Sequence, residues 1–214
     1  VKFLLPKNTR GSFSLRDALF TVIVVVILIV VLAPARVRDH PTLSCSSRMK
    51  QIGLAFQIWA GDNDGHFPMA AYTNAIGDPA FTNSADAFRY YQVMSNEISS
   101  PKILICPADK ERTAASNFTS DLISTHISYF VGLNANEAFP QAFLAGDRNL
   151  TNGRPLNHGV LELTPGQPAG WTRDLHDRAG NVALADGSVQ QFSDAGVSQF
   201  LRGPGAKTNY LLMP

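Results

Sequence analysis

The residues best suited to chemistry lie near the C-terminal end of the chain. His176 is followed by nine residues and then by Asp186-Gly187, with Asn181 inside the interval. The Asp-Gly pair is explained by a tight turn alone, because it stands between two runs of strand-forming residues. His176 falls at the base of the first of those runs, at the far end of the hairpin from Asp186, so direct contact between the two is not expected. Two readings of His176 stay open: a buried ring bonded to a backbone group, or a contact to a metal or partner. Cys45 and Cys106 are the only cysteines. They are too few for a disulfide-dense scaffold or a four-thiolate zinc site, and leave one disulfide or two buried thiols. Asp62-Asn63-Asp64-Gly65 is acidic enough for calcium but lacks a distal Glu and a ligand ladder, and reads as a turn. Gly146-Asp147-Arg148-Asn149 reads as a polar loop in which Asp and Arg form a structural ion pair.

Enzyme chemistry is not advertised. No Gly-x-Ser-x-Gly, HExxH, phosphate-binding loop or paired CxxC occurs, and His66, His126, His158 and His176 have no metal-ligand spacing. The expectation is a protein that is not an enzyme and carries no resident cofactor. Nucleic acid is not an expected partner either. Lys and Arg total 18 against 17 Asp and Glu, a net charge of +1, without the basic excess that phosphate neutralisation needs.

The 214 residues fit one domain plus an accessory segment. Charged residues are 16% and mean hydropathy is -0.01, averages that conceal a segregated chain. Ala18 to Ala35 contains no charge, and Thr21 is its one polar side chain. As a helix this run spans about 27 Å, close to the ~30 Å of a bilayer core. A cleaved signal peptide is the competing reading, since Ala33-Pro34-Ala35 partly offers a small-x-small site. Lys2, Lys7, Arg10 and Arg16 precede the run, and only Arg36 and Arg38 follow it closely. That bias keeps the N-terminus in the cytoplasm and exports the rest. An exported compartment permits a Cys45–Cys106 disulfide. Asp17, at the edge of the apolar run with no evident partner in its own segment, points to a partner on another chain.

The exported part reads as α followed by β. Cys45, Met49, Ile52, Phe56 and Trp59 form one face of a helix over residues 43–61. A second helix is expected over 84–98. Strand candidates are Lys102 to Cys106, Ile127 to Gly132, Ala142 to Gly146 and Gly159 to Leu163. The hairpin pairs Asn181 to Ala185 with Ser188 to Phe192 through a two-residue Asp186-Gly187 turn with both residues at positive φ. A short helix over 194–202 follows, capped by Ser193 or Asp194.

The junction Gly11-Ser12-Phe13-Ser14-Leu15-Arg16-Asp17, after a basic leader and before an apolar span, resembles that of type IV pilins and type II secretion pseudopilins. The stretches Met49 to Pro68, Ser95 to Lys110 and Ser128 to Asn149 and the His-x9-Asp-Gly signature (His176, Asn181, Asp186, Gly187) are similar to a prepilin-type group of planctomycetes and verrucomicrobia. Ser12 stands where the family has Gly, Arg16 where it has an apolar residue, and Asp17 where it has Glu. The resemblance implies an α+β, pilin-like fold in which a long N-terminal transmembrane and amphipathic helix packs on a small C-terminal antiparallel sheet. It implies a leader of residues 1–12 removed by prepilin peptidase at Gly11, Ser12 and Phe13, which turns the net charge negative. It implies a transmembrane and assembly segment over 13–35, with Asp17 pairing a neighbour and Pro34 kinking the helix, and an exported head over 36–214 whose sheet region runs from 102 to 192. The function implied is that of a structural subunit of a pilus-like or pseudopilus filament, inserted in the bacterial inner membrane with the head in the periplasm, or extracellular once assembled. Its partners would be further copies of itself, the peptidase, an inner-membrane assembly platform and membrane lipid. Secretion-class pseudopilins often hold calcium in their distal region, and Asp177, Asn181 and Asp186 are the oxygen ligands this implies here. The other function considered is a single-span, membrane-anchored periplasmic binding or sensing domain that does not polymerise.

Overall fold

A computed structural model describes residues 14–32, 41–72, 83–204 and 206–214. The chain divides into two units, residues 1–38 and 39–214. The leader, the processing positions Gly11, Ser12 and Phe13, and the kink position Pro34 lie outside the described residues.

The first unit contains one helix, α1 (Leu15–Leu32). Ser14 and Asp17 start it with a reciprocal cap. The Arg16 backbone N–H, at the second helical position, donates to Ser14 Oγ at 3.1 Å, and the Ser14 N–H donates to Asp17 Oδ2 at 3.1 Å, a variant of the capping box in which the hydroxyl takes the N2 rather than the N3 N–H. Asp17 therefore has a partner in its own segment, which corrects the expectation from its position alone. The bond satisfies a lone pair, and among the described residues no ion pair meets the Asp17 charge. The Thr21 hydroxyl donates back to the Asp17 carbonyl at 2.8 Å, so the one polar side chain of the run is satisfied inside the helix. The apolar stretch within α1, Ala18 to Leu32, measures about 22 Å. Among the described residues no helix is long and apolar enough to cross a membrane.

The second unit is α+β. It contains α2 (Pro41–Gly61), α3 (Pro68–Ala71), α4 (Phe88–Val93), α5 (Ser95–Ile98) and α6 (Asp194–Phe200). Its strands are β1 (Tyr129–Gly132), β2 (Phe143–Asp147), β3 (Leu150–Thr151), β4 (Val160–Leu163), β5 (Gly170–Trp171), β6 (Ala179–Leu184), β7 (Val189–Ser193) and β8 (Asn209–Leu212). Six of these form one sheet in the order β4-β8-β1-β2-β6-β7, antiparallel throughout. β3 and β5 make a separate pair.

Both faces of the sheet are covered at its centre, where β1, β2 and β6 are buried almost throughout, while the edge strands β4 and β7 keep exposed positions. Tyr129, Val131, Ala183 and Leu212 face the core under α2, where Cys45, Met49, Ile52, Phe56 and Trp59 are all buried as their spacing predicts. Phe130, Val182, Leu184 and Leu211 alternate to the other face. There they meet Trp171, Val197 and Leu201, contributed by β5, α6 and the residue after it. The period of two is thus read out as two cores.

Several elements differ from expectation. The helix expected over 84–98 is broken into a 3-10 turn (Ser84–Asp86), α4 and α5, with Met94 off helical geometry at φ -92°, ψ 23°. Lys102 to Cys106 is not a strand. Pro101 opens a 3-10 turn (Pro101–Leu104), with Ser100 Oγ accepting from the Lys102 N–H at 3.4 Å. The sheet begins at Tyr129 rather than 102 and ends at Leu212 rather than 192, because β8 inserts between β1 and β4. Asp62 to Gly65 is a turn, with Asp64 and Gly65 at φ 55° and 75°. Ser193 is the cap of α6, accepting the Gly196 N–H at 3.2 Å.

The hairpin has the expected strands, paired Ala179↔Ser193 through Ala183↔Val189. Its connection is three residues long, not two. The Gly187 N–H donates to the Leu184 carbonyl at 2.9 Å, and the Leu184 N–H to Ser188 O at 2.8 Å. Only Gly187, at φ 82°, is left-handed. This is a type I turn closed by a glycine bulge. Asp186 Oδ1 accepts the Ser188 N–H at 2.8 Å. Gln57 of α2 donates to the Ala185 carbonyl at 2.7 Å, so the turn is also fastened to the helix. A Cβ at position 187 costs roughly 1–2 kcal/mol in this conformation. Gly187→Ala is expected to lower the unfolding free energy by that amount, read as a lower urea midpoint with an unchanged slope.

Candidate functional site: a buried histidine, aspartate and disulfide centre

Asp147 is the last residue of β2, not part of a loop, and its side chain is fully buried. The strand reaches this position because residue 146 is glycine. A Cβ there would stand 2.5 Å from the Phe130 ring and 2.9 Å from the Asn181 carbonyl oxygen. β2 pairs with β6 through Gly146↔Val182, which brings Asn181 beside Asp147. Asp147 Oδ2 accepts two bonds from Asn181, from the backbone N–H at 2.7 Å and the side-chain amide at 2.9 Å. The strand ladder is thereby closed by a carboxylate instead of a carbonyl.

His176 enters from the loop before β6. That loop is closed by the Arg178 N–H donating to the Thr172 carbonyl at 3.3 Å. Asp177 and Arg178 both hold left-handed conformations, φ 47° and 65°, which cost free energy in residues with a Cβ. The reversal turns His176 inward while Asp177 stays in solvent, 3.8 Å from Arg173. The His176 ring is 3% exposed, and its Nε2 lies 3.3 Å from Asp147 Oδ2 and 3.3 Å from Cys106 Sγ.

Cys106 is bonded to Cys45, with 5.2 Å between their Cα atoms. The bridge ties α2 to the segment after the 3-10 turn. Arg48, one helical turn further along α2, donates from Nη1 to the carbonyls of Lys102 and Ile105. Tyr129 stands opposite Asp147 in the β1–β2 register. Burial, and then the nearby Asp147 charge, push the Tyr129 hydroxyl well above the usual phenol range. Tyr129 Oη, Asp147 Oδ1 and Asn181 Oδ1 are buried without a hydrogen-bond partner. Native structures keep few such atoms, and they gather where ions, water or redox groups act.

The signature residues thus separate. His176 and Asn181 converge on Asp147, while Asp186 and Gly187 build the turn at the opposite end of β6, roughly 16 Å away along the strand. Asp177, Asn181 and Asp186, the oxygen ligands implied for calcium, occupy three different places. Among the described residues, the Cys, His, Asp and Glu side chains that come together as a ligand group are Cys45, Cys106 and His176, within 4.8 Å.

Beside this centre Asp109 accepts the Ser128 hydroxyl at 2.8 Å and a two-pronged ion pair from Arg148, Nε at 2.8 Å and Nη2 at 3.0 Å. Arg148 also reaches Glu111 at 2.6 Å. The expected Asp147–Arg148 pair is therefore replaced by Asp109–Arg148: Asp147 ends β2 against His176, and Arg148, in the turn after it, reaches Asp109. Burial alone would raise the Asp109 carboxyl, but the bonds from Arg148 and Ser128 and the Arg148 charge outweigh it and hold it below the usual range. Arg112 donates to the Ser124, Ile127 and Pro214 carbonyls. Burial, with Arg148 nearby, lowers its guanidinium to about 10.

Sequence reasoning singled out His176 and Asn181 in one motif and both cysteines in another without bringing the two together, and it gave Asp147 only a polar loop and Tyr129 only a strand. The available signal was Asp147 itself, an acid directly after the apolar run Phe143 to Gly146. No family model, curated protein or solved structure matches this chain.

Proposed function

We propose that the chain is a structural subunit of a pilus-like or pseudopilus filament, held in the inner membrane and assembled through its N-terminal helix. The observation that carries this reading is the surface of α1. From Leu19 to Ile29 its large apolar side chains are all exposed, between 38% and 69%. A helix apolar on every side needs a cover of lipid or of other apolar helices, and a filament subunit exchanges one for the other when it assembles. Two further features support it. The capping box starts α1 directly after Phe13, the residue that the resemblance makes the processed N-terminus. The head lays α2 across an antiparallel sheet, as a pilin head does. In this reading the N-terminus faces the cytoplasm, the head is periplasmic, and prepilin peptidase and an inner-membrane platform act on the chain before assembly.

Asp17 provides the test, because its two roles separate by substitution. Asp17→Asn keeps an oxygen to accept the Ser14 N–H and removes the charge, whereas Asp17→Ala removes both. Filaments, scored by electron microscopy of sheared native material, are expected to be lost in both variants while the subunit still reaches the membrane. Asn-bearing protein that assembles like wild type rejects charge pairing between subunits. Wild-type native material that is monomeric, with residues 1–12 retained by mass spectrometry, rejects the filament itself and leaves the anchored binding domain. That second reading is favoured by one feature, a cleft of about 390 Å³ lined by Asn134, Phe139, Phe200 and Lys207.

A further inference from the structure

The centre around His176 has the donor set of a four-coordinate metal site. Two oxygen or nitrogen ligands about 2.0–2.1 Å from a tetrahedral zinc stand roughly 3.3 Å apart, and a nitrogen and a thiolate roughly 3.6 Å apart. His176 Nε2 is 3.3 Å from Asp147 Oδ2 and 3.3 Å from Cys106 Sγ, so the ring already lies at about the edge length of such a tetrahedron from two other donors. Cys45 Sγ, Cys106 Sγ and the His176 ring lie within 4.8 Å of one another, and Asp147 joins this group through its contact to His176. Asp147 is oriented by the two bonds from Asn181 to Oδ2 and keeps Oδ1 unpartnered, the outer-shell support that ligating carboxylates use. All four side chains are buried, which leaves no open position for water or substrate and marks a structural site rather than a catalytic one. Arg48, anchored on the Ile105 carbonyl next to Cys106, supplies a neighbouring positive charge for an acidic donor set.

While the sulfurs are bonded to each other they are not ligands. We propose that reduction of the Cys45–Cys106 disulfide creates a zinc site from Cys45, Cys106, His176 and Asp147. A dithiol or phosphine reductant supplies two electrons and is itself oxidised. The S–S bond breaks and two thiols form with two protons. Zinc binding then releases both thiol protons, while a neutral imidazole releases none, its single proton resting on Nδ1 once Nε2 is the ligand. The same positions staple α2 to the head in both states, by a covalent bond in oxidising surroundings and by a metal in reducing ones. His176 then serves the second state, which accounts for a buried imidazole against a disulfide.

The test uses the full chain in detergent, reduced with a phosphine that is removed anaerobically, and titrated with cobalt(II). Reduced wild type is expected to develop a thiolate-to-cobalt charge-transfer band and tetrahedral visible bands saturating at one ion per chain, and zinc is expected to abolish them. The oxidised protein is expected to show neither. Loss of an outer-shell partner alone weakens metal sites roughly 10–100-fold, and His176→Ala and Asp147→Asn are expected to weaken cobalt binding at least that much. Reduced wild type without the bands overturns the proposal. So does wild-type affinity in both variants, the behaviour of two thiolates in an opened chain.

Discussion

Arg148→Ala is expected to destabilise the head by about 3–5 kcal/mol at neutral pH, the cost of leaving a buried carboxylate without its cation. Asp109 is fully buried at its side chain and Arg148 only 14% exposed, so water replaces the guanidinium poorly. The remaining donors to Asp109 are the Ser128 hydroxyl and the Glu111 N–H, both neutral. Acid should shrink the loss. In the wild type the folded Asp109 carboxyl sits below its unfolded value. Its contribution is complete above the unfolded pKa of about 3.9 and disappears as pH falls through the lower folded value. In the variant the same carboxylate has lost the bonds and charge of Arg148 and keeps only two neutral donors against its burial, so protonation relieves the folded state instead. Urea unfolding at neutral pH and again near pH 3 measures both effects. The gap between wild type and Arg148→Ala is expected to be large at the first and much smaller at the second. An equal gap at both would mean that Arg148 acts by packing rather than by charge. Asp109→Asn combined with Arg148→Met is expected to cost less than Arg148→Ala alone, since no unpaired charge is left.

The features that were legible in the sequence are those governed by period and local chemistry. The apolar stripe of α2 follows a helical spacing and becomes the core face. The hairpin strands were visible because Asp186-Gly187 stands between two β-forming runs. The number of residues in that turn was not, because Asp-Gly serves equally a two-residue turn and a type I turn with a glycine bulge. The three-residue turn is held by Gln57, which donates to the Ala185 carbonyl, and by Pro140, whose carbonyl accepts the Asp186 N–H at 3.0 Å. Lys102 to Cys106 has strand composition, yet its first half folds into the 3-10 turn Pro101–Leu104, since Ser100 and Pro101 set the start of that turn and Cys106 must meet Cys45. β8 follows a Gly- and Pro-containing stretch and acquires its meaning only by inserting between β1 and β4.

The centre was half legible for a related reason. His176, Asn181 and the cysteines are types that announce chemistry. Asp147 looked like the first residue of a polar loop, and its partners are 34 residues away at Asn181 and a strand-and-loop excursion away at His176. Only the sheet register makes them neighbours. The reversal at Asp177-Arg178 carries no glycine or asparagine to signal left-handed geometry, so nothing local indicated that His176 points inward.

Replacing both cysteines, Cys45→Ala with Cys106→Ala, is expected to lower the stability of the head by roughly 2–4 kcal/mol, the range for closing a loop of this kind. The bridge spans a sequence separation of 61. The chain-entropy estimate for a loop that long is about 4 kcal/mol, acting through the unfolded state. The double variant avoids a free thiol, and neither alanine leaves a polar group unpaired. Its effect should be uneven. Arg48 still holds the Lys102 and Ile105 carbonyls, while Met49, Ile52 and Phe56 remain under the sheet. The body of α2 is therefore expected to stay docked. Protection from amide exchange should fall most around Ser44 to Arg48 and around the 3-10 turn, and least in β2 and β6, which are held by their ladder. The denaturant slope should rise, because the unfolded chain is no longer cross-linked and exposes more surface. A uniform loss of protection would show that the bridge acts only on the unfolded chain. A stability change below about 1 kcal/mol would place the staple in Arg48 and the apolar contacts, leaving the disulfide as a passenger on contacts that already hold α2 to the head.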